Sequence, residues 1–455
     1  MGHCTVVTDA TSPKSLAGEP ELRRSIGLFQ MIFYAAGSML GAGIYGLVGK
    51  AAGEMGSAVW LGFLLAMVAA LLTGLSYASL GSRYPRAAGA AFVTHRAFGR
   101  PLLTHVLGLA VACSGLTSIA AGSWVIGENL QRIPALSGAP VVVLSLAYLL
   151  LMAAIVFRGI RESMWANVAC SLVEAGGLLL VIAVGARFWG EVDLLQTPAN
   201  PAGGSLAAIP PLLVVQGAVL TFFSFVGFED TLNVAEEVKR PERTLPLGLV
   251  IGMLLACTLY IGVAVTAVSV IPWRELAEAK APLAEVMAKA APWFPPWAFV
   301  VITIFAVANS ALINYVTASR LLYGMARDGR LPRPLARVHP TRRTPHVSIA
   351  ILLAVLVCLA LAGDIAELAA ATVLLLLAVF CVVNAALVVL KLRRDEAQGG
   401  FEVPILVPIL GGVTCLGLLV ARVASGDVAA PIIAGVLLAV AAGLYFVIGR
   451  KAEDA

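Results

Sequence analysis

GSMLGAGIYG, residues 37–46, sets four glycines among ten positions at the centre of an apolar run long enough to cross a bilayer. A glycine in a helix interior costs about 1 kcal/mol relative to alanine, so this run makes a poor continuous helix. Gly37 and Gly41 have the i, i+4 spacing of a small-residue packing face between membrane helices. Gly43 lies off that stripe and closes a Gly-Ala-Gly triplet suited to unwound backbone. Such backbone is tolerated at membrane depth only where it is buried in protein or lines a cavity, because its freed N–H and C=O groups need partners.

The surrounding chain leaves little doubt about the medium. Of 455 residues, 60% are hydrophobic and 13% charged, with mean hydropathy +0.93, against roughly 25% charged in a soluble chain. Apolar stretches near or above the ~20 residues that cross ~30 Å of hydrocarbon recur from about residue 27 to about residue 449, and twelve spans are expected. With the N-terminus inside, 24 of the 31 Lys and Arg residues fall on the inner side and 7 on the outer, the bias that sets topology. The expectation is an all-α polytopic protein of the cell (inner or plasma) membrane with both termini cytoplasmic. The net charge of +5 then reflects insertion into the lipid bilayer rather than nucleic-acid binding. Seven cysteines are scattered without CxxC or Cys/His spacing, so no disulfide, metal or cofactor site is indicated.

A second segment carries the same anomaly. In VLTFFSFVGFEDTLNVAEEVKRPERTLP, residues 219–246, Gly227 is followed by Phe228, Glu229 and Asp230 where a sixth span should be apolar. A charge at that depth costs at least ~2.5 kcal/mol unless it meets water, protein or ligand. Gly43 and Gly227 stand 184 residues and five spans apart; an odd number of spans gives the two halves opposite orientations. Paired glycine interruptions in inverted halves point to a secondary transporter with a mid-bilayer site. An amino acid suits that site, since a half-helix N-terminus attracts its carboxylate and half-helix carbonyls accept from its ammonium.

The motifs GSMLGAGIYG, YASLGSRYPRAAGA (77–90), FFSFVGFEDTLNVAEEVKRPERTLP (222–246) and SRLLYGMARDGRLP (319–332), in that order and in those spans, resemble the amino acid, polyamine and organocation (APC) transporters from about residue 25 to about residue 390. The resemblance implies a LeuT-type fold of 5+5 inverted repeats with two further C-terminal spans. The corresponding divisions are a tail at 1–24, repeats at 25–190 and 205–392, spans 11 and 12 within 400–450, and a tail at 451–455. It also implies that the N–H groups of Ala42 and Gly43, beside Gly41, hold the substrate carboxylate. The ammonium falls to the carbonyls of Met39, Phe223 and Val226 beside Gly227, with the Phe223 ring closing the site and Glu229 filling the family's carboxylate position. Spans 1, 2, 6 and 7 would rock against spans 3, 4, 8 and 9.

Two departures bear on mechanism. Several members carry a lysine in span five that is linked to proton coupling, whereas WANVACSLVEAGGLLLVIAVG, residues 165–185, has no lysine and places Glu174 there. A buried carboxylate could carry the proton itself, or could bond to nearby backbone and never turn over. The family's Gly-Gly-Ala-Tyr after span two reads Ala87-Ala88-Gly89-Ala90. Glu236 and Arg240 have the spacing of an ordinary helix-end pair, and Asn309 and Asn314 are expected to bond across helices.

The leading expectation is an amino acid permease, monomeric or homodimeric, coupled to protons or working by exchange, for a neutral or cationic substrate. A polyamine or organocation carrier and a sodium symporter are the alternatives. A lipid-modifying enzyme would need an interfacial cluster of His, Asp or Lys, and a channel would need a polar stripe; the sequence offers neither.

Overall fold

The computed structural model describes residues 26–84, 89–158, 164–327, 331–342, 344–393, 396, 398–424 and 428–447. The tails expected at 1–24 and 451–455, Ala87 and Ala88, and the side chain of Glu236 lie outside the described residues. Every element among the described residues is helical, apart from one parallel backbone bridge between Ile26 and Val238.

The glycine-rich run forms α1 (Leu28–Met39) and α2 (Ala42–Met55), separated by a break. A 3-10 turn leads into α3 (Val59–Arg83), then the short α4 (Gly89–Phe98), the long α5 (Pro101–Leu130), α6 (Val141–Arg158) and α7 (Met164–Gly185). The second interrupted span is α8 (Pro211–Phe222), a 3-10 turn at Phe223–Phe225, a break, and a 3-10 helix at Phe228–Glu237. After it come α9 (Pro241–Val270), two short helices α10 (Trp273–Glu278) and α11 (Pro282–Ala290), and α12 (Pro296–Arg327). The chain closes with α13 (His346–Ala362), α14 (Ile365–Leu392), α15 (Leu406–Ala424) and α16 (Ala429–Val447). The 3-10 helix ends at Glu237 and Arg240 takes a left-handed φ of 50°, so residues 236 and 240 do not share a helix as their spacing suggested.

Among the described residues, ten helical stretches are long and apolar enough to cross a membrane, counting Ala42–Arg83 as one, and α1 and α13 are shorter apolar helices. The protein is an all-α polytopic membrane protein. Local chemistry starts these helices where expected: proline occupies the first turn of α5, α8, α9 and α11, where its missing N–H is no loss. Asp364 caps α14 by accepting from the N–H groups of Ala366 (2.8 Å) and Glu367 (2.9 Å), and Glu367 accepts from the Asp364 N–H.

Packing places both breaks at the centre. α1 lies on α9 and α7, α8 lies on α3, and α5 packs against α12, α14 and α6. Contact between α1 and α9 is close because Gly252 offers no side chain; a methyl there would sit 3.0 Å from the Ile32 carbonyl oxygen.

One end of the bundle is tied by a charged cluster. Glu402, ahead of α15, accepts from Arg83 at the end of α3 and from Lys391 at the end of α14. Glu396 accepts from Tyr84 (2.6 Å) and Arg96 (3.0 Å). Partial burial works to raise the Glu402 carboxyl, but the hydrogen bonds from Arg83, Lys391 and the Gly399 N–H prevail and hold it at about 2. Its stabilising contribution is therefore complete above the ~4.3 of a free glutamate and fades as pH falls toward about 2. The side chain is 25% exposed, so Glu402→Gln is expected to cost about 1–3 kcal/mol rather than the larger loss of a fully buried partner. Thermal unfolding midpoints in detergent should separate wild type from variant at pH 7 and converge toward pH 2. Equal midpoints at pH 7 would remove the cluster from the stability of the fold.

Candidate functional site

The two interruptions share one backbone signature. Leu40 is extended (φ −63°, ψ 133°) and Gly41 follows at φ 154°; Val226 is extended (φ −61°, ψ 133°) and Gly227 follows at φ 121°. Side chains rarely adopt such positive φ values, which is what glycine supplies at both places. The first break thus falls at Leu40–Gly41, two residues ahead of Gly43. Gly43 has another purpose: it stands in the first turn of α2, where a methyl would lie 2.6 Å from the Ser224 Cα of the other broken span. The remaining glycines of the opening stretch also serve close approach, Gly37 against Ser171 of α7 and Gly46 against Val125 and Ile365.

Side chains from neighbouring helices satisfy the carbonyls that the breaks release. The Tyr260 hydroxyl, on α9, lies 2.8 Å from both the Met39 and the Ser224 carbonyl oxygens and joins the two spans. Ser38 donates to the Gly227 carbonyl (2.9 Å), and Ser310 of α12 donates to the Leu40 carbonyl (3.1 Å). The second break also caps itself, since the Gly227 N–H donates to the Glu229 carboxylate at 2.9 Å. Gly41, the residue ahead of α2, has no side chain with which to cap it. The first-turn N–H groups of α2, at Ala42 and Gly43, lack helical partners and carry the positive end of the helix dipole.

Between the breaks lies a cavity of about 30 Å³, enough for a water or two. Met39, Gly41, Ala42, Gly43, Phe223 and Val226 wall one side, and α5 and α12 close the other. Six of the seven residues expected to bind substrate are brought together here. Gly227 does not line the cavity but shapes the break beside it. Of the carbonyls assigned to the ammonium, Met39 already accepts from Tyr260 and Phe223 from the Val226 N–H (3.2 Å), while Val226 lies outside both helical segments. A second cavity, also about 30 Å³, shares Val226 and Asn314 with the first and is lined by Glu229 and Asp230.

Glu174 stands apart from the cavity wall. It is 0% exposed, and neither carboxylate oxygen reaches a hydrogen-bond partner among the described residues. The Asn309 amide of α12 faces it outside hydrogen-bond geometry, while Asn309 itself accepts across helices from Asn167 (3.4 Å). The Tyr45 hydroxyl of α2 donates to the Glu174 main-chain carbonyl at 3.0 Å, so α7 contacts the same half-helix whose first turn lines the cavity.

Sequence reasoning missed Tyr260, Ser38 and Ser224. For Tyr260 the one signal was a hydroxyl within an apolar run, and its acceptors lie 221 and 36 residues away.

A small cavity held at two mid-bundle helix breaks and walled by backbone, hydroxyl, amide and apolar groups suits a carrier of solutes. The chain belongs to the amino acid permease family, whose profile matches residues 26–448. It is 27% identical over 427 residues to the branched-chain amino acid permease BcaP of Bacillus subtilis, covering 88% of each chain. It is 28% identical over 416 residues to the methylthioribose transporter of the same organism, covering 87% of each. Identity to the chloroplastic cationic amino acid transporter 9 of Arabidopsis thaliana is 32% over 361 residues, 73% of this chain and 60% of that protein's length.

Gly43→Ala is expected to lower amino acid uptake more than tenfold, to about the loss set by a misplaced half-helix, while the protein still reaches the membrane. Tyr260→Phe keeps the ring and removes the one hydroxyl proton that the Met39 and Ser224 carbonyls share, so KM should rise by about tenfold. Initial-rate uptake in proteoliposomes measures both, and an unchanged KM for Tyr260→Phe would detach that hydroxyl from the site.

Proposed function

We propose that the protein is a secondary active amino acid transporter of the plasma membrane, working by alternating access with a proton or by exchange. The observation that carries this reading is the cavity between an uncapped helix start at Ala42 and Gly43 and the released carbonyls of both breaks. A zwitterion presents the complementary charges at matching ends, its carboxylate toward α2 and its ammonium toward Val226 and Met39. Tyr260, Ser38 and Ser310 position the two breaks without supplying charge.

Residues 25–190 and 205–392 then form inverted repeats. In support, helix packing maps onto itself when α1, α3, α5, α6 and α7 are exchanged for α8, α9, α12, α13 and α14. The pairs α1–α9 and α8–α3, α5–α6 and α12–α13, α5–α14 and α12–α7, and α7–α9 and α14–α3 all occur. With α1 and α2 counted as one span and α13 as another, twelve spans result and both termini face the cytoplasm. The second cavity, on the side of the break toward the Arg-rich ends, marks the inner half of the route.

Glu174 is the coupling group in this reading. An ionised carboxylate there is fully buried and has no hydrogen-bond partner among the described residues, and Tyr45 connects its backbone to α2, so gaining or losing a proton would bear on the half-helix that holds the substrate. Wild-type protein in proteoliposomes should take up labelled amino acid faster with an inward proton gradient. Glu174→Gln should keep exchange between internal and external amino acid and lose the response to the gradient; a retained response would return Glu174 to a purely structural role.

A further inference from the structure

Resting on that reading, we infer that the substrate is a neutral amino acid with an apolar side chain of a few carbons, selected by Ile119, Phe223, Val307 and Ala311. Once the carboxylate and ammonium occupy the breaks, the side chain is left facing α5, α12 and the Phe223 ring. None of the residues lining this cavity is Asp, Glu, Lys, Arg or His. Ile119, Val307 and Ala311, all buried, give that wall its apolar part, and Ser118, Ser310 and Asn314 on the same two helices add neutral polar groups only.

Neither nearby carboxylate is available to a cationic side chain. Glu229 opens into the other cavity, past Val226, and its carboxylate already accepts from the Gly227 N–H. This bond keeps the second break capped, so diverting Glu229 to a substrate would uncap a mid-membrane helix start. Glu174 is absent from the wall and lies behind α2. A lysine or arginine side chain would exchange water for a neutral wall without a counter-charge, and a glutamate side chain would find no cation; either loss outweighs the gain from buried methylenes.

Size follows from the approach of α5 to α12. A methyl on Gly122 would lie 2.9 Å from a Val307 methyl and 3.7 Å from the Ala42 Cβ. Space at this level therefore depends on how far Val307 and Ile119 can rotate. That admits an aliphatic side chain more readily than a second aromatic ring beside Phe223.

The test uses full-length protein in proteoliposomes and labelled alanine, leucine, phenylalanine, lysine and glutamate, each followed at initial rate. Leucine or alanine should exceed lysine and glutamate in kcat/KM by about 100-fold or more. Val307→Ala should shift the ratio of phenylalanine to leucine upward by about tenfold, and Ala311→Asp should raise lysine relative to leucine by about tenfold or more. Lysine or glutamate transported by the wild type within about threefold of the best neutral amino acid would overturn the inference and leave amino acid transport standing. Uptake of none of the five would instead bring down the transporter reading, and the inference with it. Where a variant does not reach the membrane, the wild-type ratios decide.

Discussion

A peptide carbonyl or N–H released from a helix in the middle of a hydrocarbon layer has no water to turn to, and each one left unmatched costs several kcal/mol. Two spans of this protein accept that penalty at Leu40–Gly41 and Val226–Gly227, and the surrounding bundle is arranged to relieve it. Tyr260, Ser38 and Ser310 come from three different helices, and each brings a hydroxyl to a carbonyl near a break. At the breaks, three of the main-chain carbonyls are thus met by neutral hydroxyl donors. Such a site offers partial charges at fixed positions without the desolvation cost of ionised side chains.

The two breaks share an extended residue followed by a glycine of positive φ, but they differ in the glycine's ψ (−140° at Gly41, −21° at Gly227) and in chemistry. At the second, the chain supplies its own anion, Glu229, two residues beyond the glycine. At the first, the chain places no acid two residues beyond the glycine, where Gly43 stands.

Much of this was legible from the sequence because membranes punish ambiguity. Glycine quartets and adjacent acids in an apolar run stand out against a background that excludes them, and the second break does fall at Gly227. The first break was set two residues late because Gly43 looks like a source of flexibility. Its actual task, letting Ser224 approach, depends on a helix 180 residues away that no local pattern announces. Tyr260 was hidden for the same reason. Arg83 and Lys391 were counted as topology signals, and the structure also makes them partners of Glu402 in a loop that hydropathy treats as a mere connection. Long-range pairing is what a one-dimensional reading lacks.

The bridge between Ile26 and Val238 has a mechanical corollary. Ile26 donates to the Glu237 carbonyl at 3.0 Å and accepts from the Lys239 N–H at 2.9 Å, while Ser38 fastens the other end of α1 to Gly227. The near halves of both interrupted spans are pinned to each other top and bottom, like two rails of a ladder joined by rungs. Tilting either one alone shears the rungs, so a force applied to the chain ahead of Ile26 is felt at the far rail as directly as at its own.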